Sequence, residues 1–123
     1  MTGIRFGSVS LDSDDPARLA DFWANLLGGA VAFSGDDFVA VKLANLWLTA
    51  VRVGNYVAPS WPSDEVAKQI HLDLAVDDLE SATATAIGFG ATQPDHQPGD
   101  GSYVVMLDPA GHPFCLTTQI PED

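Results

Sequence analysis

The first apolar pattern along the chain has a period of two. In SVSLDS, residues 8–13, Val9 and Leu11 alternate with Ser8, Ser10 and Asp12, as in a strand with one buried face. The period then lengthens. Leu19, Phe22, Trp23, Leu26 and Leu27 recur at the spacing of one helical face. Asp15 is placed to cap that helix, Pro16 suits its first turn, and Gly28 and Gly29 end it. Three short runs, residues 30–33, 37–43 and 46–53, read as strands joined by turns short enough for hairpins. The first half is therefore strand, helix and three strands.

Residues 54–68, GNYVAPSWPSDEVAK, carry neither period; their prolines, glycine and polar residues around Tyr56 and Trp61 read as a connection. From residue 69 the order begins again. IHLDLAVDD alternates like a strand, and Asp77 or Asp78 opens a second helix, with Glu80 three residues after Asp77 as in a capping box. Leu79, Ala82, Ala86 and Ile87 are its predicted buried side, and Gly88 and Gly90 stop it. A short strand near residues 91–93, the polar loop PDHQPGDG, and strands in SYVVMLD and PFCLTTQ complete the half. VSLDSDD, helix and GGAV overlay LDLAVDD, helix and FGAT, an internal repeat at about half the chain length. The expectation is one α+β domain over 1–123: a βαβββ unit over 1–53, a connection over 54–68 and a second βαβββ unit over 69–123.

Composition narrows the partners. Hydrophobic residues make up 46% of the chain and charged residues 18%, which excludes the disordered regime. Seventeen Asp and Glu against five Lys and Arg give a net charge of −12, so nucleic acid and anionic membranes are not expected partners. The one cysteine has no internal disulfide partner, and no signal or membrane-spanning pattern is present. The expected setting is the reducing cytoplasm.

The duplicated order, VDDLESA at 76–82 and MLDPAGHPFCL at 106–116 resemble the vicinal oxygen chelate superfamily, which includes glyoxalases, extradiol dioxygenases and bleomycin-resistance-type binding proteins. More closely, HLDLAVDDL followed by DPAGHPFCL is similar to the small glyoxalase-like domains, and the resemblance covers nearly the whole chain. It implies two tandem units whose strands form a cupped mixed sheet, helices on its outer face, and a homodimer. It also implies, for the metal enzymes of the superfamily, a ligand on the first and last strand of each unit. Those positions are Ser8 and Thr49 in the first half and His71 and Cys115 in the second. Only His71 is the ligand type the resemblance calls for, and neither Thr49 nor Cys115 is a carboxylate. A catalytic metal needs about three protein donors. Asp73, two residues after His71 and on its face, would complete no more than an improvised set. No metal and no cofactor are expected.

Within such a cup, alternation sends Val9, Leu11, Leu72, Leu74, Val76, Phe114 and Leu116 to the helix side, and Ser8, Ser10, His71, Asp73, Cys115 and Thr117 to the cavity. His71 and Asp73 are the candidate catalytic acid/base pair, weighed against a histidine that is only hydrogen-bonded within the sheet. A Cys115–His71 dyad is weighed against a cysteine packed as a small hydrophobe. His112 reads as an exposed turn residue, His96 as a solvated one, and Trp23 as core. Trp47, on the face of Thr49, and Trp61 in the connection supply aromatic lining, weighed against core or interface packing. The expected ligand-binding set is Ser8, Ser10, Trp47, Thr49, Trp61 and Cys115. The expected function is metal-independent binding of a small organic molecule, aromatic or antibiotic-like. Two alternatives stand beside it: a lyase or isomerase using His71 and Asp73, and an interaction module without a ligand.

Overall fold

The computed structural model describes residues 2–122. The chain divides into two compact units, one running through Tyr56 and the other from Val57 onward.

In the first unit β1 (Ser8–Ser13), α1 (Pro16–Leu27), β2 (Ala30–Ser34), β3 (Phe38–Lys42) and β4 (Trp47–Arg52) follow the predicted order. The sheet runs β1-β4-β3-β2, with β1 parallel to β4 and the other pairs antiparallel. The helix forms where the chain supplies its ends. The Asp15 carboxylate accepts the Arg18 N–H at 3.2 Å, and Pro16 occupies a position whose N–H would find no helical partner. Gly28 closes it in the left-handed conformation, φ +68°, which a side chain disfavours. Leu19, Ala20, Phe22 and Trp23 are each 2% exposed or less, and α1 packs on a sheet face that buries Leu11, Val39, Val41, Leu48 and Ala50. Leu27, at the end of the predicted apolar stripe, is exposed.

The second unit repeats this plan with β5 (Leu72–Ala75), α2 (Leu79–Phe89), β6 (Tyr103–Leu107) and β7 (Pro113–Thr117). The order is β5-β7-β6, with β5 parallel to β7 as β1 is to β4. Of the two candidate caps, Asp78 opens α2. Its carboxylate accepts the Ser81 N–H at 3.0 Å, and the backbone and then the hydroxyl of Ser81 hold its pKa below the usual value. Ile87, expected on the buried side, is 48% exposed. The helix meets β6 and β7 through Ala86, which is fully buried, and the next residue is turned about 100° from that contact.

The predicted strand at residues 91–93 shrinks to one bridge. Thr92 exchanges two backbone hydrogen bonds with Leu107, at 3.0 and 2.8 Å, and the pairing goes no further. Pro94 ends it by lacking an N–H and by restricting the residue before it. A side chain then continues the ladder. The Gln97 amide accepts the Val105 N–H at 2.8 Å and donates to the carbonyls of Val105 at 2.9 Å and Pro94 at 2.8 Å. The outer edge of β6 is thus satisfied by Thr92 at one position and by Gln97 at the next but one.

The turn before β7 is built on Asp108. Its buried carboxylate accepts the N–H groups of Ala110 at 3.0 Å and His112 at 2.9 Å, while its own N–H donates to the His112 carbonyl at 3.0 Å. His112, expected to be exposed, is therefore drawn in and half-buried. Among the described residues no helix is long and apolar enough to cross a membrane.

Candidate functional site

Strand register decides which side chains meet in the second unit. Because β5 and β6 flank β7, Asp73, Cys115 and Val105 form one row across the sheet, and Ala75, Thr117 and Tyr103 form the next. Phe114 and Leu116 alternate to the opposite face, with Leu72, Leu74 and Met106. The face bearing Cys115 lines a pocket of about 320 Å³. Around its floor stand His71 and Pro113, Trp61 and Lys68 from the connection, and Pro98 from the polar loop.

At the centre of the floor Asp73 holds two neighbours. His71 Nε2 lies 3.2 Å from Asp73 Oδ1, and the nitrogen, oxygen and sulfur donors of His71, Asp73 and Cys115 lie within 4.8 Å of one another. Burial, first, raises the Cys115 pKa; the Asp73 charge and a hydrogen bond with its carboxylate raise it further, while the Lys68 charge pulls it down. The thiol therefore keeps its proton at neutral pH. A nucleophilic dyad needs the reverse, a thiolate stabilised by a cationic neighbour. Asp73→Asn removes both of the Asp73 contributions, so the thiol should alkylate with iodoacetamide at pH 8 about three- to tenfold faster than in the unaltered chain. An unchanged rate in mass-spectrometric time courses would show that the carboxylate does not govern the thiol.

Among the described residues, the equivalent face of the first unit carries no such cluster. Ser8 is in register with Trp47, and Ser10 with Thr49, as Asp73 is with Cys115. The Ser8 and Thr49 hydroxyls are 3.2 Å apart, and Lys42 Nζ lies 5.9 Å from the centroid of the exposed Trp47 ring. The two hydroxyls hydrogen-bond to each other, and the ammonium lies over the indole ring.

Of the predicted residues, the structure brings His71, Asp73, Trp61 and Cys115 into one pocket and sets Ser8, Ser10, Trp47 and Thr49 on the first unit's own sheet. His96, expected to be solvated, is exposed, but its ring lies 5.5 Å from that of Trp61. Sequence reasoning missed Lys68 and Tyr103. The alternation within SYVVMLD carries the signal for Tyr103, two residues from Val105. For Lys68 the signal is that it is the sole lysine or arginine from Val57 onward.

Residues 8–117 match the family model of the glyoxalase-like domain. No curated protein sequence matches the chain. Among solved structures, the fosfomycin resistance protein FosX from Mesorhizobium loti is similar at 12% identity and a TM-score of 0.67, over 98% of this chain and 94% of that one. FosX from Listeria monocytogenes, complexed with Mn(II) and 1S,2S-dihydroxypropylphosphonic acid, is similar at 17% identity and 0.69, over 99% and 94%. A glyoxalase/bleomycin resistance protein from Albidiferax ferrireducens is similar at 17% identity and 0.63, over 91% and 96%. At these identities the likeness is one of fold.

The manganese of the Listeria protein poses a question of fit for this pocket. Mn(II) takes oxygen donors and imidazole, whereas thiolates select softer ions. His71 and Asp73 suit it, and the sulfur of Cys115 does not, which leaves the second unit's cluster one donor short of the usual three. The cluster does not fit that ion.

Proposed function

The chain belongs to the glyoxalase-like domain family, and from that premise we propose that it binds a small organic molecule, without a metal ion, in the pocket of its second unit. The observation that carries this reading is the pocket's size and lining: about 320 Å³, with an indole, a phenol and two prolines beside a few polar groups. Compact organic ligands are held by this combination of apolar walls and sparse, placed polar atoms. Trp61 offers a ring face for stacking. His71 and Asp73 offer polar contacts, and Cys115 gives the floor a small neutral group. Ser8, Ser10, Trp47 and Thr49 form a second proposed contact set on the first unit's own sheet face. Neighbours named for fosfomycin and bleomycin resistance support a sequestering or resistance-type role.

Titrating a library of aromatic metabolites and antibiotics against tryptophan fluorescence tests the reading. At least one compound should quench, with an affinity unaffected by EDTA and weakened about tenfold or more in Trp61→Ala. A library with no quencher would sink the reading, as would stoichiometric tight binding of zinc, nickel or manganese in calorimetry. A second reading, a lyase or isomerase, is favoured by one contact, the 3.2 Å approach of His71 to Asp73, since a carboxylate orients and supports an imidazole acid/base. Turnover lost in a folded His71→Ala protein would establish it.

A further inference from the structure

The acidity of the second unit has one exception, and it lies in the pocket. From Val57 onward the sequence holds eleven Asp and Glu, no arginine and a single lysine, Lys68. That lysine is half-buried and lines the cavity. Among the described residues it makes no ion pair and no hydrogen bond. With carboxylates so abundant, an internal partner for one ammonium is easily supplied, and a half-buried charge without one is unfavourable. The other charged side chain of the pocket, Asp73, has its carboxylate 3.2 Å from His71 Nε2.

The remaining polar groups point the same way. Thr117 Oγ1 accepts the Gln119 N–H at 3.1 Å, which leaves its hydrogen to donate. Lys68 is donor only, so the pocket's uncommitted polar capacity is weighted toward donors. Trp61 and Tyr103 add ring surface.

Resting on the reading that this pocket binds an organic molecule, we infer that its ligand is an aromatic carboxylate, with the carboxylate against the Lys68 ammonium and the ring against Trp61. The chain's net charge of −12 repels an anion at long range. That repulsion is screened beyond about 8 Å at physiological ionic strength, whereas a contact pair inside a partly enclosed pocket is screened far less. Contact with Lys68 is what places the ligand's carboxylate.

Calorimetry of the full chain with three probes of one shape tests this: naphthoate, naphthalenemethanol and naphthylmethylammonium. Naphthoate is expected to bind about tenfold or more tighter than the alcohol, and the ammonium probe most weakly. Lys68→Met should bring naphthoate to the level of the alcohol while changing the alcohol's own affinity less than about twofold, and Lys68→Arg should keep the preference. Circular dichroism checks that both variants fold. Equal binding of alcohol and naphthoate, a preference that survives Lys68→Met, or no binding by any of the three overturns the inference. A library without a single quencher instead overturns the pocket-binding reading beneath it, so the two failures are told apart.

Discussion

Phe114→Ala is expected to lower the stability of the fold by about 3–5 kcal/mol, whereas Cys115→Ala, one residue further on, should cost only about 1 kcal/mol. The two side chains share the central strand of the second unit, and all five residues of β7 are buried. They differ in face. Phe114 is 0% exposed, lies in register with Leu72 and Met106, and belongs to the apolar side against which α2 sets Ala86. Truncating it removes a whole ring from close-packed surroundings that relax only partly, so lost transfer energy and a residual cavity add together. Cys115 borders a space that is already open, so its truncation enlarges a pocket and creates no new internal void. Urea denaturation with an unchanged m-value measures both. A gap between the two variants of less than about 1 kcal/mol would mean that β7 is not anchored by its apolar face.

The same alternation explains how much of the fold was legible. The β1, β5 and β7 faces were readable because a period of two is unambiguous once one face is apolar, as with Phe114 and Leu116 against Cys115 and Thr117. Helix α1 was readable because Asp15, Pro16 and Gly28 mark its ends and large residues mark its inner side. In α2, alanines and threonines spread small apolar groups around the helix, so the pattern did not fix its rotation. Packing chose Ala86 and left Ile87 outside. The second strand predicted for the second unit, at residues 91–93, failed for a different reason. A glutamine side chain performs a strand's hydrogen bonding there, and no hydrophobic period reports that.

The site was legible in the same measure. His71 and Asp73 share a face because they are two residues apart, and the parallel pairing of the first strand with the last, repeated in both units, brings Cys115 level with Asp73. Lys68 and Trp61 stand in a connection with no periodicity, where position depends on tertiary contacts that composition does not encode. Trp61 drew notice through its size. Lys68 stands out only by counting charge separately for each half, since across the whole chain it is one of five cations.

Gln97→Leu should cost about 2–4 kcal/mol, a large effect for a loop residue that touches no helix or strand side chain by hydrogen bonding. Leucine keeps most of the volume and removes all three hydrogen bonds, leaving the Val105 N–H and the carbonyls of Val105 and Pro94 without their amide partner. Each unsatisfied buried group costs about 1–3 kcal/mol, and the loop can recover part of that by swinging out to admit water. That escape carries its own penalty for the pocket. The same loop brings Pro98 to the cavity, and it approaches β6 so closely at Gly99 that an added Cβ would collide with the Tyr103 carbonyl oxygen. A loop displaced to hydrate Val105 therefore moves Pro98 and releases Tyr103, and ligand affinity should fall together with stability. Gln97→Glu separates the contributions, because at neutral pH it retains an acceptor for the Val105 N–H and loses both donations to carbonyls. Denaturation and amide exchange at Val105 read the outcome. A cost under about 0.5 kcal/mol, with the Val105 amide as protected as before, would show that the edge of β6 does not depend on this side chain.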